Sequence, residues 1–364
     1  VILPNVPTSV IARIGADSKY WLWINGKPVV FEGGLKRGPN PLDTYYDEVE
    51  IAPYLKRGEN TIAVLLWYFG RPSFSHNDSG KAGLLFDCQT PSFDILSDDS
   101  WKCEANPAYG TCPPPDPNMR LAESNIRYDA RKAGRAWHQP DFNADEMPQA
   151  VENGTAGSRP WNKLVLRPIP LWKVGELQDY PSQVRNGDTI VCTLPYNAQI
   201  TPYIKLKASS GDKVQIFTDN YLKYNGGDNY LRCEYIARDG VQDYENKGWT
   251  NGHRVYYVVP ADAEVMELKF RESGYDTEFV GTFECSDPEF NRFLTKAVRT
   301  LYITMRDTYM DCPDRERSQW TGDVVNESGE AFYALSESAN RLTRKWLHNL
   351  AGWQKPDGVI YAPV

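Results

Sequence analysis

The hydrophobic period changes once along this chain, and the change limits what it can fold into. Up to about residue 279, apolar residues come in short runs, each closed by Gly, Pro or Asn. In SKYWLWINGKPVVFE, Tyr20, Leu22 and Ile24 alternate with Trp21 and Trp23, and Asn25-Gly26 supplies the positive-φ pair of a tight hairpin. A second run, ENTIAVLLWYFG, follows the turn LKRGEN at residues 55–60. After a proline-rich loop at 107–117 and an irregular stretch at 138–160, strand signals resume in DTIVCTL, YIKLKAS, KVQIFTDN, HRVYYVVP and AEVMELKFRES. The spacing then becomes helical. Phe290, Leu294, Ala297, Leu301 and Met305 fall on one face, Ser286 and Glu289 are spaced as a capping box, and Pro288 sits where a first turn accepts it. A second helix is expected after Asp323, with Val325, Ser328, Phe332, Leu335 and Ala339 on one face. A third, through Leu342, Trp346, Leu350 and Trp353, stops before Lys355-Pro356-Asp357-Gly358.

A chain of 364 residues exceeds one compact core. Residues 1–165 and 166–279 read as two β-sandwiches, and 280–364 as helical, so the fold class is multidomain β plus α. A net charge of −8 without a basic cluster argues against nucleic acid as a partner. No apolar run of about eighteen residues predicts a membrane span. The opening VILPNVPTSV lacks the features of a signal peptide, so an export signal is expected outside this sequence. Seven cysteines without CxxC spacing argue against a zinc ribbon or a disulfide scaffold, leaving one bridge, Cys103 to Cys112, open. Four histidines without HxxxH or HExxH spacing argue against a histidine metal site, and no motif calls for structural calcium. The aromatic content, 13%, suits sugar faces and sandwich cores equally.

Between the first two helices stands YMDCPDRERSQWTGD, residues 309–323. From Asp311 to Asp323 it holds four carboxylates (Asp311, Asp314, Glu316, Asp323), two arginines and Trp320. Glycoside hydrolysis uses one carboxylic acid to protonate the leaving oxygen and one carboxylate to activate water or to attack. It also uses hydroxyl-binding groups and an aromatic platform, and this loop offers most of that set. An extended backbone would put Asp314 beside Glu316 and Arg315 beside Arg317. The plain alternative is a solvated loop with local ion pairs, Trp320 as a core anchor and Cys312 as a buried thiol.

DCPDRERSQWTGD resembles the signature DCPQRDERLGWTGD of the α-L-rhamnosidases of glycoside hydrolase family seventy-eight. GTFECSDPEFNRFLTKAVRTL is similar to that family's lead-in to its catalytic barrel, and WQKPDGVIYAPV to a later loop. YYDEVEIAPYLKRGENTIAVLLWYFG is similar to its galactose-binding-like, jelly-roll sandwich. The resemblance implies that 280–364 begin an (α/α)6 barrel and that hydrolysis is inverting, with a Glu as general acid and a second Glu as base. It places the acid on Glu316 and substrate contacts on Asp311, Arg315, Trp320 and Asp323. No cofactor or metal is implied, and the implied partner is a rhamnosylated glycan or plant glycoside, met in the periplasm or outside the cell. The signature here is one residue shorter, so the family's Asp beside the acid is lost or represented by Asp314. No residue matches the base, and the 85 residues after 279 are too few for twelve barrel helices. Two rivals stand: a glycosidase of another sugar specificity, and a noncatalytic carbohydrate-binding protein. Oligomeric state is not legible.

Overall fold

The structure, a computed structural model, describes residues 1–36, 38–134, 136–221, 229–360 and 362–364. Tyr361, in the family-like segment near the end, lies outside the described residues.

The expected Asn25-Gly26 hairpin is present, with φ of 52° and 78° at the two turn residues. It joins Lys19–Ile24 to Lys27–Gly33, and Ile62–Trp67 completes a three-stranded sheet. Opposite lies a five-stranded sheet in the order Leu164–Leu166, Thr44–Glu50, Ile11–Asp17, Gly83–Gln89 and Asp94–Leu96. Leu22 and Ile24 from the first sheet pack with Ile14 and Phe86 from the second in one core. Burying both inner faces in this way makes a sandwich.

The second sandwich is organised by one strand of 20 residues, Thr189–Ala208. Its first part pairs with Ser182–Asn186 and Thr250–Val258, its second with Gly240–Glu245 and Glu264–Gly274. One strand thereby serves both layers. The register against Thr250–Val258 shifts between Thr193 and Ala198, where Pro195 has no N–H to give the ladder. Ile204, Leu206, Val214, Ile216, Tyr257 and Phe270 are among the core residues between the layers.

The expected boundary at 165 does not separate the sheets. Tyr109–Thr111 and Ile126–Asp129 join the second sheet, the latter parallel to Arg232–Ile236, and residue 165 itself lies in a strand of the first. Pairing partner, rather than sequence order, assigns these strands.

Three helices follow: α1 (Pro288–Ile303), α2 (Thr321–Ala334) and α3 (Ala339–Gly352). Pro288 does open α1, but the cap is Asp287, whose carboxylate accepts the Glu289 N–H at 2.8 Å, and not Ser286. Helix α2 begins at Thr321, before Asp323, and its buried residues are Val324 and Ala331. Val325 and Phe332 from the expected face are exposed, as is Phe290 of α1. In α3 the expected Leu342 and Trp346 are buried. The helices pack on each other and on Ile169, Trp172 and Tyr275 from the β part. All seven cysteines are free, so Cys103 and Cys112 are not bridged. Among the described residues no helix is long and apolar enough to cross a membrane.

Candidate active site

The loop between α1 and α2 folds back on itself. Asp311 N–H donates to the Ser318 carbonyl, and Ser318 N–H to Asp311 Oδ1, both at 3.0 Å. Within this clamp Pro313–Glu316 form a turn, and Arg317 takes a left-handed φ of 53°. A non-glycine residue there costs energy unless its surroundings enforce it, and here they do. The buried Arg317 donates to the Pro313 carbonyl at 2.7 Å, the Trp249 carbonyl at 3.1 Å and Glu123 at 3.2 Å. Its guanidinium lies 3.4 Å from the centroid of the Trp249 ring. Burial works against the Glu123 carboxylate, but Lys36 and Arg317 outweigh it and hold its carboxyl down at about 2.

This turn overturns the extended reading. Asp314 and Glu316 diverge instead of facing each other. Asp314 accepts from Asn220 at 3.0 Å, and burial, against the pull of Arg317 and Asn220, pushes its carboxyl up to about 6. Glu316, 2% exposed, points the other way. Its Oε1 accepts from Arg120 at 2.6 Å and lies 3.3 Å from Arg315 Nη2, while its Oε2 accepts the Trp320 indole N–H at 2.7 Å. Charge-assisted bonds of this length fix a carboxylate firmly. Trp320 is half-buried, with its ring edge-to-face to Phe74 at 6.0 Å.

Of the expected site residues, Glu316, Arg315, Asp311 and Trp320 are brought together. Arg315 Nη2 reaches Asp311 at 4.0 Å, and burial raises the Asp311 carboxyl above its ordinary value. Asp323 lies exposed in the first turn of α2. Cys312 donates its thiol to Asp311 at 3.0 Å, and burial pushes it up to about 11, which suits a structural thiol and not a nucleophile. On α2, Glu327 has one buried oxygen without a partner, and burial, helped by Asp323, Glu330 and Asp311, pushes its carboxyl up to about 8. Arg120, Glu123, Asn220 and Trp249 were missed from sequence. They come from loops of the β part and carry no local mark of a site.

Two sandwiches holding a helical segment, with a buried carboxylate and an indole on the turn between its first helices, make an architecture shared with solved rhamnosidases. The resemblance to family seventy-eight is borne out: residues 278–364 match the family described as bacterial alpha-L-rhamnosidase 6 hairpin glycosidase domain. A curated alpha-L-rhamnosidase of Formosa agariphila is 24% identical, covering 84% of this chain and 34% of that protein. The crystal structure of a GH78 family rhamnosidase of Bacillus sp. GL1 superposes with a TM-score of 0.83 at 16% identity, covering 95% of this chain and 60% of that one. A Streptomyces avermitilis alpha-L-rhamnosidase complexed with L-rhamnose superposes at 0.79 with 18% identity, over 100% of this chain and 36% of its own. The chain thus spans about a third of the curated relative it matches.

Proposed function

We propose that this chain carries the general acid of an inverting α-L-rhamnosidase, and that Glu316 is that acid. The observation that carries the reading is the setting of Glu316. It is a buried carboxylate on the turn between α1 and α2, joined to the Trp320 N–H at 2.7 Å, inside the stretch that matches the rhamnosidase domain. Both of its oxygens accept hydrogen bonds, so protonating a leaving oxygen means exchanging one of these partners for the substrate. Arg120, with its side chain 38% exposed, has the room to withdraw. Arg315, Asp311 and Asp323 then bind sugar hydroxyls, and the Trp320 ring lies against the sugar. No residue of this chain is assigned as the base. The substrate class is a rhamnosylated glycan or plant glycoside, and the place of action is the periplasm or the cell exterior.

The test is Glu316→Gln in the full-length enzyme, assayed on a natural-type rhamnoside and on a nitrophenyl rhamnoside. Losing the acid costs about 10²–10⁴-fold where the leaving oxygen needs a proton. A nitrophenolate departs as a stable anion, so the variant keeps much more of its rate on that substrate. Equal loss on both substrates removes Glu316 from the role and makes Asp314 the next candidate.

A further inference from the structure

Among the described residues, one cluster outside the Glu316 turn has the donors of a metal site. Asp17, His76 and Asp78 each offer a ligand atom, and these atoms lie within 4.8 Å of one another. Asp17 and His76 are 5% and 3% exposed. We propose that these three residues bind one divalent transition-metal ion of the zinc or manganese kind, which fastens the loop carrying Phe74 to the first sandwich.

The orientation of His76 comes first. Its Nδ1 lies 2.6 Å from the Lys36 carbonyl, so the proton sits there and Nε2 turns its lone pair into the cluster. Nε2 meets Asp17 Oδ1 at 3.5 Å and Ser18 Oγ at 3.3 Å. The hydroxyl hydrogen of Ser18 is already given to Asp17 Oδ1 at 2.6 Å, and its oxygen accepts the Phe69 N–H at 3.1 Å. Both neighbours therefore present electron pairs to Nε2. An imidazolium hydrogen-bonded to a carboxylate closes to about 2.7–2.9 Å, which is shorter than what is seen. Two ligands held at about 2.0–2.2 Å on a tetrahedral ion stand roughly 3.3–3.6 Å apart, as His76 Nε2 and Asp17 Oδ1 do, and Asp78 offers its atom within 4.8 Å of both.

The remaining donors agree. Ser79 N–H occupies Asp17 Oδ2 at 2.8 Å, leaving Oδ1 to face inward. Asp78 Oδ1 is buried without a hydrogen-bond partner. One imidazole with two carboxylates suits zinc or manganese better than calcium, which takes six to eight oxygens. The loop that supplies His76 and Asp78 also supplies Phe74. Its carbonyl accepts the Ser318 hydroxyl at 2.7 Å, and its ring meets Trp320 at 6.0 Å and the Arg120 guanidinium at 5.5 Å. An ion here braces one wall of the candidate active site, although its binding does not depend on the activity assigned there.

The experiment strips the full-length protein with a chelator, then titrates it calorimetrically with Zn²⁺ and with Mn²⁺ and measures bound metal by mass spectrometry. One equivalent per chain is expected, with a rise in Tm. His76→Ala and Asp78→Asn should each lose that equivalent and its Tm response, while Cys103→Ser keeps both. Asp78 is only half-buried, so its Asn variant tests the proposal even where His76→Ala fails to fold. Uptake of no ion by the folded wild type, or the same uptake by both variants, overturns it and makes the cluster an imidazolium–carboxylate pair.

Discussion

Glu327 offers a test in which the sign and size follow from its surroundings. Its carboxyl is pushed from 4.5 to about 8, chiefly by burial on α2, with Asp323, Glu330 and Asp311 adding repulsion and Thr304 opposing. Below pH 4.5 the group is protonated in folded and unfolded chains alike, and its full contribution to stability is present. As pH rises toward about 8 the unfolded chain ionises first, so stability declines; above that value the loss is complete. The span corresponds to at most ~5 kcal/mol, and solvent reaching the half-buried carboxyl brings it to about 3 kcal/mol. Glu327→Gln keeps the shape and cannot ionise. Urea denaturation of wild type and variant should give free energies within about 1 kcal/mol of each other at pH 5. At pH 9 the Gln protein should lead by about 2–3 kcal/mol. Asp314, raised to about 6, titrates in both proteins and cancels in the difference. Parallel stability curves from pH 5 to pH 9 would refute the assignment of Glu327 as a carboxyl kept neutral by its site.

Two other substitutions probe the frame around Glu316. Glu123→Gln leaves Lys36 and Arg317 buried without their anion and should cost about 3–5 kcal/mol in a melt or urea titration; a loss below about 1 kcal/mol would show that the turn is held without the pair. Trp320→Ala should weaken substrate binding or turnover with little change in Tm if the ring serves the sugar. A core role gives the reverse pattern, with about 3–5 kcal/mol of stability gone.

What the sequence revealed was what neighbouring residues decide among themselves. The Asn25-Gly26 turn requires two positive φ values, and few other pairs accept them, so it was legible. Helix α3 was legible because Leu342 and Trp346 recur at its own period and meet the core. Helix α2 was misread in its facing: Val325 and Phe332 fit the period, but the surface it packs on selects Val324 and Ala331. Ser286 and Asp287 are both capable caps, and the start of the helix at Pro288 chose between them. The site split along the same line. The residues of the 311–323 loop were read from type and spacing, whereas its path was not. The backbone reversal at Arg317 is imposed by Glu123 and Trp249, and Glu316 is gripped by Arg120, all far away in sequence. Nothing near those residues in the chain announces that contact.

The strands at 109–111 and 126–129, annealed to the second sheet ahead of the first sandwich's own closing strand at 164–166, thread the two sandwiches together. Ile126–Asp129 pairs with Arg232–Ile236, a parallel neighbour more than a hundred residues further along the chain. The loop between the two early strands carries Arg120 and Glu123, and it is held from both sides: Arg71 donates to the Leu121 and Ala122 carbonyls at 3.0 Å, while Asn125 bonds the Tyr230 carbonyl at 2.7 Å and accepts the Arg232 N–H at 3.0 Å. The two residues that steady the turn bearing Glu316 therefore depend on both sandwiches for their position. The geometry of the Glu316 turn is thus a property of the whole β part and not of the helical segment that carries it.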